Sequence, residues 1–455
     1  MSRPEQTEVF GTRTKRTSDA RVPVNAPGTA AWARLSRDAL WIATGHGVAA
    51  VATLVGVRLV TELAQPSLYG RFVLLNGVLA LLQGVLLAPM AQAALRFYPD
   101  FAAAGAALQL RRHLFGLFGR RWSWSLLVIT SIGSIDVLVS HWLSPLTWLL
   151  LAFALGLEAW KTIEIVMRNG AREQASYSAL YAADSIARPA GAVLAAWTFG
   201  ASVESLLLGQ SVGTLIVLAA LSGLSRIARD PLPSKGFSAT AVTEHFKQSM
   251  RSFASPLLWA PLVGWISGLA DRYVVAGLLG VAQAGVYAAA YGLASRPMLM
   301  IGTVSEATLR QVLYAAAAKD DHAGVRKTLG CWIAANLLAG IAVVAFLSVF
   351  ADVVVHWLLA EEYRLVAAQL LPWIAFGYVL LLASQATERL LYARHRTGAV
   401  LRIQAASALV AVVAALVGAQ WFGLIGVAAA VPVYFSVQLL LTITVAHRTL
   451  DASER

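Results

Sequence analysis

Residues 265–299 read WISGLADRYVVAGLLGVAQAGVYAAAYGLASRPML, and this stretch indicates the fold class of the chain. Two apolar stretches flank the turn GLLG, and the whole segment carries only three charged residues, Asp271, Arg272 and Arg296. A helix needs roughly 20 predominantly apolar residues to cross the hydrocarbon core of a bilayer. The segment therefore predicts two membrane-spanning helices joined by a short loop.

The same character extends along the 455-residue chain, which is 58% hydrophobic and only 13% charged. Soluble domains carry about 25% charged residues, so the composition excludes a set of soluble domains and leaves little room for a soluble catalytic domain. We expect an all-α membrane protein with about twelve transmembrane helices. The apolar runs lie near residues 39–62, 71–94, 122–140, 146–167, 176–199, 203–224, 254–271, 284–309, 328–356, 365–390, 398–419 and 422–446.

The distribution of basic residues predicts the orientation of these helices. Of the 36 Lys and Arg residues, 30 lie in the two tails and in alternate loops on one side of the membrane. Basic residues near helix ends resist translocation, so this side is cytoplasmic and both termini are expected there. The net charge of +12 thus reflects topology, and we expect no nucleic-acid partner.

The longest polar interruption inside the chain, residues 226–252, separates six predicted helices from six. An equal division indicates an internal duplication. Two lobes that start from the same side of the membrane would be related by a pseudo-two-fold axis along the membrane normal, with a binding site in the cleft between them. The expected parts are a basic cytoplasmic tail without fixed structure (1–37), a first six-helix lobe (38–225), a cytoplasmic linker (226–252), a second six-helix lobe (253–448) and a cytoplasmic tail (449–455).

A matching signal occurs in both halves. Arg58 ends the first predicted helix and Arg96 the second, while Arg272 and Arg310 end the seventh and eighth; each pair is separated by 38 positions. Between the members of each pair, a glycine follows the turn, and these glycines are Gly70 and Gly285.

Two arginines fall near the middle of predicted helices, and each precedes a proline: Arg188–Pro189 and Arg296–Pro297. A charge at mid-bilayer costs about 2.5 to 3.5 kcal/mol on insertion scales, so such residues usually face a bundle interior or a watery cavity. Proline kinks the helix and frees backbone carbonyls there. Because a guanidinium stays charged and binds phosphate through paired donors, we expect a basic cavity for a phosphate or diphosphate.

Structural interpretations of the arginines remain open. Arg188 has Asp184 four residues earlier on the same helical face, which allows an ion pair. Arg58 and Arg272 lie near predicted outer helix ends, where they can extend to the interface or form an outer ring that receives a phosphate. Arg296 has no acid four residues away on either side, so a structural partner would have to come from another helix.

Three further residues are candidates for ion coupling: Glu158 on the fourth predicted helix, Asp184, and His46 between two glycines. We predict no cofactor and no metal site. The sequence lacks a GxxxxGK[ST] loop for nucleotide phosphates and an HExxH or paired Cys/His ligand set, and it contains a single cysteine, Cys331.

Several segments together resemble bacterial polysaccharide flippases of the O-antigen exporter type, within the multidrug/oligosaccharidyl-lipid/polysaccharide exporter superfamily. The resemblance covers about residues 38–448. The segments are RLVTELAQPSLYGRF (58–72), ALRFYPD (94–100), the opening stretch 265–299, LLPWIAFGYVLLLASQATERLLYARHRT (370–397) and WFGLIGVAAAVPVYF (421–435).

The resemblance implies a two-lobed transporter, not an enzyme, with a cationic central cavity. It would move undecaprenyl-diphosphate-linked oligosaccharides across the bacterial inner membrane by alternating access, for surface or exo-polysaccharide synthesis. Its partners would be this lipid-linked substrate, the bilayer, and a polysaccharide polymerase or glycosyltransferase. A cation-coupled drug antiporter of the same superfamily is the alternative, and it predicts acidic cavity residues from among Asp136, Glu158 and Asp184. A membrane glycosyltransferase or polymerase would need a large outer loop, and the predicted outer loops are short.

Overall fold

A computed structural model describes residues 29–103, 105–135, 143–222 and 259–454 of the chain. Within these ranges the ordered structure is helical, as the apolar runs predict. The first lobe holds six helices, in which α4 contacts α2, α3, α5 and α6 and Gly45 and Gly56 of α1 lie against Ser178 and Pro189 of α5. They are α1 (Thr29–Leu63), α2 (Pro66–Ala103), α3 (Ala107–Ile135), α4 (Pro145–Gly170), α5 (Gln174–Phe199) and α6 (Val203–Ser222).

The remaining helices form the second lobe, centred on α11, which contacts α8, α9, α10 and α12. Gly423 interrupts α12 with φ of 60° and ψ of −142°, so this element consists of two helices joined at a kink. The elements are α7 (Trp259–Leu278), α8 (Val281–Ala318), α9 (His322–Val349), α10 (Ala351–Leu358), α11 (Glu361–Ala393) and α12 (Thr397–Glu454).

The predicted two-lobed all-α membrane fold is confirmed. Six stretches of the described residues are long and apolar enough to span a membrane by length and composition alone, and one of them, Thr397–Thr449, contains both halves of α12. Each of the twelve predicted apolar runs overlaps a described helix or helix half. Where 328–356 was expected to be a single span, the chain has α9 followed by the short α10, with Phe350 between them.

The expected domain boundaries differ from the helix limits at both ends. α1 begins at Thr29, inside the expected tail 1–37, and α12 continues to Glu454, through the expected tail 449–455. The linker 226–252 lies outside the described residues. The described residues up to Leu40 belong to a unit separate from residues 41–455, and the packing and contacts reported below belong to the second unit.

Three pairs of glycines let helix backbones approach closely. A Cβ on Gly70 of α2 would overlap the carbonyl of Val281 on α8, and a Cβ on Gly285 would overlap the carbonyl of Pro66. The two glycines at matching positions of the predicted repeats therefore pack against each other between the lobes. Reciprocal glycine contacts also join the last two helices of each lobe: Gly191 with Gly209 in α5 and α6, and Gly418 with Gly426 in the two halves of α12.

Candidate functional site

A polar cavity of about 520 Å³ lies among α1, α2, α4, α5 and α6, with one side chain contributed by α8. Arg188 and Arg296, the two arginines that precede prolines, both line it. The fold thus brings together two residues that are 108 positions apart in the sequence. Cavities that bind small molecules typically measure about 300 to 1,000 Å³, so the volume suits part of a ligand such as a phosphorylated headgroup.

Arg188 forms an ion pair with Glu158 of α4 inside this cavity. Its Nη2 atom also lies 3.5 Å from Oε1 of Gln210, whose own Nε2 donates to Oδ1 of Asn76 at 3.2 Å. The sequence allowed an ion pair between Arg188 and Asp184 on the same helix. That alternative is wrong, because the partner of Arg188 is Glu158. The carboxylate that pairs with Arg188 comes from the neighbouring helix α4 and not from the i−4 position of α5.

Asp184 instead forms an ion pair with Lys161. The Lys161 Nζ atom lies 2.8 Å from Oδ2 of Asp184 and 2.7 Å from Oε2 of Glu158. The second Asp184 oxygen accepts a hydrogen bond of 2.7 Å from Thr214. Arg188, Glu158, Lys161 and Asp184 form an alternating charge chain, called the charge network below. Each buried carboxylate is thereby paired, as a low-dielectric environment requires.

Arg296 lines the same cavity and is exposed to it. Across the described ranges, no acidic side chain forms an ion pair with it. The cavity wall therefore carries three cations, Lys161, Arg188 and Arg296, against two carboxylates. The uncompensated positive charge is that of Arg296, so the charged groups of the cavity wall sum to +1.

The other two predicted arginines do not line this cavity. Arg58 forms an ion pair with Glu62, one turn further along α1. Arg272 lies over the ring of Tyr291, with 4.6 Å between its Cζ atom and the ring centroid, and its backbone N–H donates to Asp271 at 2.8 Å. Each of the two side chains also keeps one buried nitrogen without a hydrogen-bond partner among the described residues, Nη1 of Arg58 and Nε of Arg272, and an outer ring for phosphate stays a prediction.

Among the ion-coupling candidates, Glu158 and Asp184 line the cavity and His46 does not. The His46 ring packs beside Tyr181, with 4.5 Å between centroids, and Tyr181 itself faces the cavity. Asp136 lies outside the described residues. Among the residues that the structure describes, no group of three or more His, Cys, Asp or Glu side chains is arranged to hold a metal ion.

Several cavity residues escaped the sequence analysis. Asn76 and Gln83 are seven positions apart on α2, and Gln210 lies on α6. An amide side chain inside an otherwise apolar helix could have indicated them. The spacing of seven between Asn76 and Gln83 also places these two residues on one helical face. Lys161 of α4 also lines the cavity and was not among the predicted site residues.

The position of the cavity also differs from the expectation. We expected the site in a cleft between lobes, yet all of its lining residues except Arg296 belong to the first lobe. The lobes contact each other along α2, which packs against α7 and α8. Tyr273 and Trp265 of α7 donate hydrogen bonds of 2.7 Å to the carbonyls of Leu74 and Gly77. These contacts join the two lobes directly along α2.

The fold is shared with known membrane transporters. An inward-facing multidrug resistance MATE family transporter of the MOP superfamily superimposes with a TM-score of 0.69 at 14% identity, covering 93% of this chain and 98% of that one. The inward closed conformation of the lipid II flippase MurJ gives 0.68 at 12% identity, covering 91% and 87%. A point mutant of the Vibrio cholerae MATE transporter VcmN gives 0.63 at 13%, covering 92% and 97%.

Sequence comparison gives the family. No curated protein matches the sequence. A family model described as polysaccharide biosynthesis protein matches residues 127–368, which is more than half of the chain and includes Arg188, Arg296 and the charge network. This chain therefore belongs to the polysaccharide biosynthesis protein family.

Proposed function

We propose that this protein is a flippase that moves undecaprenyl-diphosphate-linked oligosaccharides across the bacterial inner membrane by alternating access, for surface or exo-polysaccharide synthesis. The observation that carries the proposal is Arg296, a permanently charged side chain that faces a membrane-embedded cavity without an acidic partner among the described residues. A charge in such a place is costly unless a ligand or water compensates it. The family match and the transporter fold support the proposal.

The chemistry of the cavity wall fits a diphosphate. Arg296 offers several N–H donors in a planar fork, which suits phosphate oxygens. Arg188 is paired with Glu158, and an entering diphosphate can compete for it because Glu158 retains Lys161 as a partner. The two arginines would then bind the two phosphate groups, while the amides of Asn76 and Gln210 offer hydrogen bonds to sugar hydroxyls.

Alternating access requires the lobes to separate at one end and meet at the other. In this structure they meet at the end predicted to face the periplasm. The Tyr363 hydroxyl donates to the carbonyl of Ala64 at 2.6 Å, and the rings of Tyr69 and Tyr363 pack edge to face. Together with the Gly70–Gly285 contact, these interactions close that end. Their separation would release a substrate toward the periplasm.

The test is transport of an undecaprenyl-diphosphate-linked oligosaccharide in proteoliposomes containing purified protein. We expect Arg296→Ala to reduce the transport rate by about 10- to 100-fold, since a hydrogen bond to a charged group contributes about 1.5 to 3 kcal/mol. Arg296→Lys should retain part of the rate, because it keeps the charge without the paired donors. The matched control is Arg402→Ala, which removes an exposed arginine of α12. Normal transport by Arg296→Ala would refute the proposal.

A second candidate function is a cation-coupled antiporter, favoured by the two carboxylates that line the cavity. It predicts that Glu158→Gln and Asp184→Asn abolish efflux of a cationic dye while Arg296→Ala leaves it intact. The flippase predicts the opposite dependence on Arg296. Measuring dye efflux and lipid transport with the same three variants separates the two functions.

The chemistry of the product also suggests a partner. An oligosaccharide delivered on a lipid diphosphate has to be extended or transferred, so we infer that a membrane-bound polymerase or glycosyltransferase works beside this protein. Affinity purification from native membranes, followed by mass spectrometry, tests this inference. Recovery of the flippase without any such enzyme would contradict it.

A further inference from the structure

A second cavity, an apolar groove of about 550 Å³, runs along the outside of the first lobe between α1 and α5. Its walls are residues 47–59 of α1 and 186–190 of α5, and its lining residues are aliphatic apart from glycine and proline. Val51 is 62% exposed and Ile186 49% exposed, so the groove opens toward the lipid. We call it the α1–α5 groove.

The α1–α5 groove adjoins the polar cavity. Gly56 and Pro189 line both, and Pro189 directly follows Arg188, whose guanidinium lies on the cavity side. The two residues are in close contact: a Cβ on Gly56 would lie 2.5 Å from the Pro189 Cβ atom. This contact separates a polar, cationic compartment from an apolar one, over the width of one residue pair. An amphiphile with an anionic headgroup and a hydrocarbon chain matches both compartments at once.

The helix that forms the outer wall is lightly packed. Only 17% of the apolar core of the α1 span is buried, against 61% for the α6 span. Most helices are held in place by packing and not by helix propensity. We therefore expect α1 to move away from α5 at a smaller free-energy cost than α6 would need to leave its neighbours. Glycine at position 56 further reduces the contact that has to be broken.

We propose that the α1–α5 groove binds the hydrocarbon chain of the transported lipid while the phosphorylated headgroup of that lipid occupies the polar cavity. The substrate then enters through the first lobe, past Gly56, and not between the two lobes. This inference rests on the proposed function, and it adds the route and the chain-binding site. Hydrocarbon buried in the groove leaves water or lipid with a gain that grows with each CH₂, so the groove would favour a long-chain lipid diphosphate over free diphosphate.

The experiment uses the full chain in lipid nanodiscs, with undecaprenyl diphosphate and inorganic diphosphate as probes. Val55→Trp and Ala190→Trp fill the groove from its two walls. Val413→Trp is the matched control, since Val413 is 52% exposed on α12 and Val55 48% exposed on α1. We expect both groove variants to weaken undecaprenyl diphosphate binding at least tenfold and to leave inorganic diphosphate binding within twofold of wild type. The control should change neither.

A photoreactive undecaprenyl phosphate analogue locates the chain directly. We expect its cross-links to map to residues 47–59 and 186–190 and to decrease at least fivefold in the Arg188→Ala/Arg296→Ala double variant, because the headgroup anchors the chain. Cross-links that are unchanged in that variant would mean that ordinary membrane lipid fills the groove, and would overturn the inference.

The two proposals fail differently. If the tryptophan variants bind both probes like wild type, the α1–α5 groove is not the chain site, although the flippase proposal survives. If the arginine variant binds inorganic diphosphate as well as wild type does, the cavity is not a phosphate site and the proposed function fails.

Discussion

Glu158 lies at the branch point of the charge network, where it binds both Arg188 and Lys161. It is 6% exposed, so its negative charge would be strongly unfavourable without these partners. In the proposed function, a diphosphate that binds Arg188 has to displace this carboxylate. The proposal therefore predicts that Glu158 and the ligand compete for one guanidinium.

Glu158→Gln should consequently strengthen anion binding. Removing the competing charge raises the net charge of the cavity wall, and we expect diphosphate to bind about tenfold more tightly, a gain of about 1.4 kcal/mol. Isothermal titration of protein in nanodiscs measures the affinity. Glu306→Gln is the matched control, since Glu306 also joins two arginines, Arg310 and Arg389, each at 3.0 Å, away from the cavity. Equal effects in both variants would show that Glu158 does not compete with the ligand.

Arg168 does not line the cavity, and its contacts hold helices together. It is fully buried, forms an ion pair of 2.6 Å with Glu164 and donates a 2.7 Å hydrogen bond to the carbonyl of Leu221. Glu164 also pairs with Arg111, so these contacts join α3, α4 and α6.

Arg168→Ala should mainly affect stability. Breaking a buried ion pair by removing one partner costs about 3 to 5 kcal/mol, and Glu164 would keep only Arg111. We expect a clearly lower midpoint of thermal unfolding, measured in detergent by the fluorescence of a dye that reports exposed apolar surface. Diphosphate affinity of the folded fraction should remain at the wild-type value. A normal midpoint would contradict the structural assignment.

Among the helices, the crossing of α2 and α8 depends on two glycines. Gly70 and Gly285 allow the backbones of the two lobes to touch near the start of both helices. The same positions had appeared in the sequence as matching points of an internal repeat. A contact between symmetry-related residues is expected at a two-fold axis, so this contact supports the duplication.

Gly70→Leu should disrupt that crossing. A side chain at position 70 would overlap the Val281 carbonyl, so we expect the lobes to be held apart at this end and transport to fall at least tenfold. Gly292→Ala is the control on α8, because a Cβ there meets nothing within 4 Å. It should be neutral or stabilise the helix by up to about 1 kcal/mol. Transport assays and thermal unfolding of both variants check this, and full activity of Gly70→Leu would show that close contact is dispensable.

For the molecule in its bilayer, orientation remains a prediction from the basic residues. This prediction places two short loops on opposite sides of the membrane. They are residues 200–202, between α5 and α6, and residues 319–321, between α8 and α9. The first is expected to face the periplasm and the second the cytoplasm.

Single cysteines test the orientation. In a Cys331→Ser background, needed because the native cysteine is exposed, we expect Ala201→Cys to react with a membrane-impermeant maleimide in cells with permeabilised outer membranes. Lys319→Cys should react only after lysis. Both positions are exposed, so whether each cysteine is labelled depends on which side of the membrane it lies on. The reverse pattern would place the termini in the periplasm.

The helices, their approximate limits and the two arginines of the cavity could all be predicted from the amino-acid sequence. Hydrophobicity and the cost of a membrane-embedded charge are properties of each segment alone, so they can be read without knowing its neighbours. Three features required the packed structure: Arg188 pairs with Glu158 and not Asp184, Arg296 joins it in one first-lobe cavity, and this cavity adjoins the α1–α5 groove. These features depend on how packed helices are rotated and tilted against one another, whereas spacing along the chain fixes neighbours only within a single helix.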